Sequence, residues 1–244
     1  EYARHARQSN GVSLATAIKA MDSLRINAER LWGSLMELAK IGATPKGGVK
    51  RLTLTEEDRR ARDLFAQWAR SAGLTLEVDG IGNVFARRAG TDPSLPPVAM
   101  GSHLDSQPSG GKFDGAYGVM AGLEALRTLD DAGVRTRAPL EVVSWTNEEG
   151  SRFTPVMMGS GVFAGAFTLE HVRAQKDIDG VTVGEALARI GYAGSARPHR
   201  LGAYLEAHIE QGPVLESEGK TIGVVRGSLG QRWYDVTVTG QDAH

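Results

Sequence analysis

Apolar residues along this chain alternate between helical spacing and short unbroken runs. Leu31, Leu35 and Leu38 fall on one helical face, which predicts a helix over 28–40. A loop rich in Gly, Pro and Lys follows over 42–51. Thr55 then opens a second helix. Asp58 stands three residues on, in a capping-box pattern, and Ala61, Leu64, Phe65, Trp68 and Ala69 recur at helical spacing until Gly73. Strand-like runs come next at 74–78, 83–86 and 98–100. Residues 116–131 read as a helix closed by Gly133, and 139–145 (PLEVVSW) as a buried strand. Thr182 with Glu185 caps a further helix that ends at Gly191. Further strands are predicted at 203–209, 221–226 and 232–239. This order implies an α/β fold, a mixed sheet with helices on both faces. Residues 1–27 are polar and mixed, and read as a tail or leader helix. The last predicted strand stops five residues before His244, so the pattern predicts a chain cut short.

Composition changes this picture little. Hydrophobic residues make up 41% and charged residues 23%, ordinary for a globular protein. The 31 glycines in 244 residues are nearly twice the usual ~7%, and favour tight loops over a helical bundle. A formal net charge of −1 leaves no basic excess to neutralise phosphates, which argues against nucleic acid. No apolar run approaches the ~18 residues of a membrane span, and the first residues lack the apolar core of a signal peptide. Cysteine is absent, which excludes disulfides, thiolate zinc sites and a cysteine nucleophile. Any metal site must then be built from His and carboxylates, and a reducing, cytoplasmic setting is the default.

The chemistry gathers where strands end. The run 97–102 delivers His103, with Asp105 two residues on; 204–207 delivers His208; 140–144 runs into Glu148 and Glu149. Ligands of open α/β sheets bind at the carboxyl ends of strands. Asp114 lies on a Gly-flanked turn just before the 116–131 helix, where it can put a carboxylate between two ions. Two ions about 3.5–4 Å apart can share a carboxylate and lower the pKa of water toward ~7. A carboxylate outside the metal shell must then take the water's proton, and adjacent Glu148 and Glu149 suit such a division of labour. Asp105 can hold the other ring nitrogen of His103. Taken singly each signal has a plainer explanation: a structural His, a solvated Glu pair, ordinary turn chemistry. Gly-x-Ser-x-Gly is absent, and His5, His171 and His199 lie in polar stretches. The weight lies in the conjunction, in order, of His-x-Asp, Gly-Gly-x-x-Asp-Gly, Glu-Glu-Gly and His-x-Glu-Gln-Gly-Pro.

Those four blocks (101–106, 110–115, 146–153 and 208–213) resemble the signature segments of hydantoinase/carbamoylase-type amidases. These are zinc-dependent hydrolases of the aminoacylase and carboxypeptidase G superfamily, and the resemblance covers roughly 28–244. It implies a zinc-exopeptidase-like catalytic domain over 28–229 and, over 230–244, the first strand of an α+β lid and dimerisation domain. It implies two divalent ions, zinc or else manganese or cobalt. His103, Asp114 and His208 match the ligands of one, and Asp114 and Glu149 those of the second, with Asp114 bridging. Glu148 matches the general base, Asp105 the carboxylate that orients His103, and Gln211 a substrate-contacting amide. His244 matches a His that reaches the partner subunit's site and stabilises an oxyanion there. The bond after the bridging carboxylate, Asp114–Gly115, is expected to be cis.

The implied reaction is hydrolysis of the C–N bond of an N-carbamoyl amino acid or related ureido substrate by a homodimer. Allantoate amidohydrolase, or a peptidase or aminoacylase of the superfamily, are the neighbouring readings. An inactive fragment or a non-catalytic metal or small-molecule binding domain is the reading of a different class. Family members run on past the equivalent of His244, and a final His ligand and the Arg and Asn that grip the substrate carboxylate are expected there.

Overall fold

A computed structural model describes residues 24–230, 232, 234 and 236–241. They divide into two units, one up to Ile209 and one from Glu210. The first contains α1 (Ala28–Leu38), α2 (Glu56–Ser71), β1 (Thr75–Val78), β2 (Val84–Arg88), β3 (Val98–His103) and α3 (Ala116–Asp131). It continues through β4 (Leu140–Trp145), α4 (Met158–Phe163), α5 (Leu169–Arg173), α6 (Val183–Ile190) and β5 (Ala203–Leu205).

The strands form one sheet in the order β1-β2-β4-β3-β5. β2 is antiparallel to β1 and β4, whereas β3 runs parallel to β4 and β5. The sheet is therefore mixed, as the sequence predicts. Side chains alternate across a strand, and β2 sorts its residues accordingly. Val84 and Ala86 join the core formed with Phe65 of α2 and Leu123 and Leu126 of α3. Phe85 between them packs on the other face with Val143, Trp145 and Phe163 of α4. Helices thus cover both faces.

Helix ends follow local chemistry, with one revision. Thr182 and Glu185 build the full reciprocal capping box, and Gly191 closes α6 at a left-handed φ of 75°. At α2 only half of the expected box forms. Thr55 accepts the Asp58 N–H, but the Asp58 carboxylate accepts from Leu54 N–H at 2.7 Å and pairs with Arg62 Nε at 2.9 Å. Arg62 and Asp58 are both fully buried, and a buried cation needs its counter-charge close by. The pull of Arg62 therefore outweighs a return bond to Thr55.

The pairing sets the strand lengths. β3 extends past the predicted 98–100 because its ladder with β4 continues to the pair His103–Trp145. β5 is shorter than the predicted 203–209 because its ladder with β3 ends at Leu205–Met100. No strand forms at 221–226 or among the described residues of 232–239, where the apolar side chains of Ile222, Val224, Val236 and Val238 stand exposed. A pattern suited to a strand becomes one only against a neighbouring ladder. The second unit instead has the single-turn helix α7 (Val214–Ser217). Glu210 caps it, its Oε1 accepting the N–H groups of Val214 and Leu215 at 2.9 and 3.0 Å.

Candidate metal centre

The ends of β3 and β4 stand side by side, with His103 on the last rung, and the segment after β5 leads on to His208. Asp114 lies on the turn into α3. One donor atom from each of His103, Asp114 and His208 falls within 4.8 Å of the others. His208 Nε2 is 3.2 Å from an Asp114 carboxylate oxygen, and His103 Nε2 is 3.9 Å from the same oxygen.

The second nitrogen of each ring explains this arrangement. His103 Nδ1 meets the Asp105 backbone carbonyl at 2.9 Å, and His208 Nδ1 meets the Ile209 carbonyl at 2.7 Å. A carbonyl can only accept, so each Nδ1 must carry a proton. In the neutral rings both Nε2 lone pairs then turn toward one carboxylate. Acceptors facing an acceptor repel unless a proton or a cation lies between them. Ligating histidines in metal sites are held in this way, by a hydrogen bond to the ring nitrogen away from the ion. The donor set of two imidazoles and a carboxylate suits a borderline divalent ion such as zinc.

Acidic groups crowd the same place. Glu148 Oε2 is 3.5 Å from His103 Nε2. Burial disfavours charge on His103, but the Asp105 and Glu148 carboxylates outweigh it and raise its proton affinity. Burial likewise raises the affinities of Glu148 and Glu149, and pushes Asp105 up to about 6. The Asp105 carboxylate is 3.7 Å from His103 Nδ1, beyond hydrogen-bond reach, and the ring is held by the backbone carbonyl of the same residue. The carboxylate instead accepts the backbone N–H groups of Glu148 and Glu149, both at 3.3 Å. Asp105 thus ties the β4 loop to the β3 loop.

Glu149 stands apart from the triad. Its carboxylate accepts from Gln107 Nε2 at 2.7 Å, and Ser151 Oγ donates to the other end of that amide. Gln211 belongs to the second unit, and His244 lies outside the described residues. The expected cis bond at Asp114–Gly115 is not found; the one cis peptide among the described residues is Thr154–Pro155. Gly115 makes the turn with an ordinary bond by adopting φ 64°, ψ −52°, closed by the Ala116 N–H to Asp114 carbonyl bond of 2.6 Å. This is the γ-turn geometry, strained for any residue with a side chain.

Gly115 is also pressed against the candidate ligand. A Cβ there would lie 2.4–2.5 Å from three atoms of the His103 ring. Gly115→Ala is expected to cost about 2 kcal/mol by chemical denaturation, combining backbone strain with overpacking. An unchanged midpoint would mean that turn and ring do not meet.

Two polar residues of the site were not singled out by the sequence. Gln107, which holds Glu149, carries no spacing signal in its Ser/Pro/Gly surroundings. Glu206 accepts from Ser102 Oγ at 2.5 Å and from Tyr204 Oη at 2.8 Å. Its signal was available: strand alternation groups 204, 206 and 208 on one side.

A mixed α/β sheet in which the end of β3, the turn into α3 and the segment after β5 bring two imidazoles and a carboxylate within one ion's reach has the framework of a His–carboxylate metal site. Residues 99–243 match the peptidase family M20/M25/M40, and the chain belongs to that metal-dependent family. An N-carbamoyl-L-amino-acid amidohydrolase of Rhizobium meliloti is 52% identical over 225 residues, covering 91% of this chain and 54% of that protein. An allantoate amidohydrolase of Bacillus subtilis is 39% identical over 211 residues, covering 85% of this chain and 51% of its own. The crystal structure of a hydantoinase/carbamoylase family amidase from Burkholderia ambifaria superposes with a TM-score of 0.81 at 59% identity, over 82% of this chain and 49% of that one. The chain thus spans about half the length of the relatives it matches. Among the described residues no helix is long and apolar enough to cross a membrane.

Proposed function

We propose that this chain carries the metal centre of an amidohydrolase that cleaves the C–N bond of N-carbamoyl-L-amino acids. The observation that carries the reading is the pair of imidazoles, each pinned at Nδ1 by a backbone carbonyl, turning Nε2 to Asp114. The names of the relatives give the substrate class, with the 52% identical carbamoyl hydrolase ahead of the 39% identical allantoate enzyme.

His103, Asp114 and His208 would hold the first divalent ion. Glu149 is assigned to a second by the resemblance of its sequence block. When bound, such ions polarise a carbonyl and acidify water. Glu148 takes the proton released as water attacks the carbamoyl carbon, and returns it to the leaving nitrogen. Its burial-raised proton affinity suits a base that must also act as an acid. Asp105 accepts the Glu148 and Glu149 backbone N–H groups and so ties their loop to the loop after β3. Gln211 and His244 are assigned to substrate and oxyanion contact on the sequence resemblance. Zinc is the preferred ion, with manganese and cobalt as substitutes. The resemblance also supports a homodimer, and the absence of cysteine supports a cytoplasmic setting.

The test is a substrate panel on the complete natural protein loaded with zinc, manganese or cobalt: N-carbamoyl-L-amino acids, allantoate and dipeptides. The expected result is a kcat/KM for a carbamoyl substrate at least about tenfold above the others, a difference of ~1.4 kcal/mol in transition-state binding. Preferential turnover of dipeptides would overturn the reading in favour of a peptidase. Turnover of nothing would favour a binding domain.

A further inference from the structure

We propose that Asn83 is the positioning residue that places Glu148, by closing the loop that carries it; the inference rests on the role of Glu148 given above. Asn83 follows the turn between β1 and β2 and is fully buried. Its Oδ1 accepts the Thr146 N–H at 2.9 Å, and its Nδ2 donates to the Gly159 carbonyl at 3.0 Å and the Asp79 carboxylate at 2.8 Å. Thr146 and Gly159 are the two stems of the segment that carries Asn147, Glu148 and Glu149. They also bond each other, Gly159 N–H to Thr146 carbonyl at 2.8 Å. One side-chain amide therefore clamps both stems. Its orientation is fixed by the partners, since an N–H can only donate and a carbonyl only accept.

The contact is close. A Cβ on Gly159 would lie 2.2 Å from Asn83 Oδ1, so only glycine lets this stem approach. Asp79 holds the clamp, its Oδ1 accepting the backbone N–H groups of Ile81 and Asn83 at 3.1 and 2.9 Å. Inside the loop the division of labour is clear. Asn147, at a left-handed φ of 53°, donates Nδ2 to the Phe153 and Pro155 carbonyls and sets the loop's own shape. Asn83 sets where that shape stands relative to the sheet. Buried Arg62 adds a tie to the Thr146 hydroxyl at 3.2 Å, but on one stem only. Glu148 lies two residues from the clamped Thr146, so a shift at the stem is passed to its carboxylate. A misplacement of about 1 Å can cost ~10²-fold in rate.

The test compares Asn83→Asp with Ile81→Ala in the complete zinc-loaded protein. The first keeps size and the Thr146 acceptor, but turns an oxygen toward the Gly159 carbonyl and the Asp79 carboxylate. The second removes buried apolar packing from the same turn and leaves the three polar contacts of the Asn83 side chain in place. Asn83→Asp is expected to lower kcat about 100-fold with KM and bound metal within about twofold. It should also speed amide hydrogen exchange over 146–159 about tenfold relative to β2 and β4. Ile81→Ala is expected to do neither. Parallel losses in the two variants, or unchanged exchange over 146–159 in Asn83→Asp, would overturn the proposal. The unsubstituted protein gives a second test should Asn83→Asp not fold. Its Thr146 amide should exchange as slowly as those of the β4 ladder, and exchange at the rate of open loops would refute the clamp. Absence of hydrolysis by the unsubstituted protein would remove the role given to Glu148, and the exchange measurements would still decide whether Asn83 closes the loop.

Discussion

Glu148→Gln is expected to lower kcat about 10³-fold while bound metal and fold stay unchanged. Glutamine keeps the size of the side chain but cannot take a proton from water, and general-base catalysis is typically worth 10²–10⁴-fold. Glu148 is suited to that role by position and surroundings. Its carboxylate lies 3.5 Å from His103 Nε2, the nitrogen that faces the candidate ion site. Its backbone is fixed from both sides, the N–H by Asp105 and the carbonyl by the Met157 N–H at 2.8 Å. Burial raises its proton affinity, while the neighbouring imidazole opposes the rise. Because Glu148 belongs to neither the His103–Asp114–His208 triad nor the buried core, its loss should appear in kcat and not in metal content or denaturation midpoint. Steady-state kinetics with elemental analysis on the same preparation read both. Near-normal turnover in Glu148→Gln would remove this residue from the reaction.

His103→Ala is expected to strip most of the metal, to about a tenth of the unsubstituted content after dialysis, and to abolish turnover with it. Loss even of an outer-shell partner typically costs 10–100-fold in metal affinity, and loss of a ligand costs more. His103 is the best-held member of the triad. It is 2% exposed, carried on the last rung of the β3–β4 ladder, bonded at Nδ1 and packed on Gly115. His208 has 35% of its side chain exposed and lies beyond the end of β5. His208→Ala should therefore retain more metal than His103→Ala. Elemental analysis of both variants checks the order, and unchanged stoichiometry in His103→Ala would count against the site. Far-UV circular dichroism distinguishes metal loss from unfolding.

How much of this was legible in the sequence depends on whether the deciding interaction is local. Helix α3 was predicted to the residue because its apolar spacing and closing Gly133 are local signals. The capping box at Thr182 was legible for the same reason. The box at Thr55 was not, because Arg62, buried seven residues on, diverts the Asp58 carboxylate. The predicted strands at 221–226 and 232–239 have the pattern but no ladder among the described residues. Helices α4 and α5 leave no periodic signal because runs such as MGSGVF are short and rich in glycine.

In the site, His103, Asp114, His208 and Glu148 were marked by strand ends and motif order, and the structure brings them together. Asp105 meets the ring through its backbone carbonyl at 2.9 Å, while its carboxylate stands 3.7 Å from the same nitrogen. Which atom of a residue reaches a ring two positions away is set by the backbone turn, and residue spacing does not encode it. Gln107 and Asn83 carry no local signal because their partners, Glu149 and the Thr146–Gly159 stems, are more than forty residues away in sequence.

Anomalous diffraction from crystals of the complete protein equilibrated with zinc would locate the ion. A peak at the zinc edge is expected about 2.0–2.2 Å from His103 Nε2, an Asp114 carboxylate oxygen and His208 Nε2. Zinc bound elsewhere, with no peak among these three groups, would contradict this assignment of ligands.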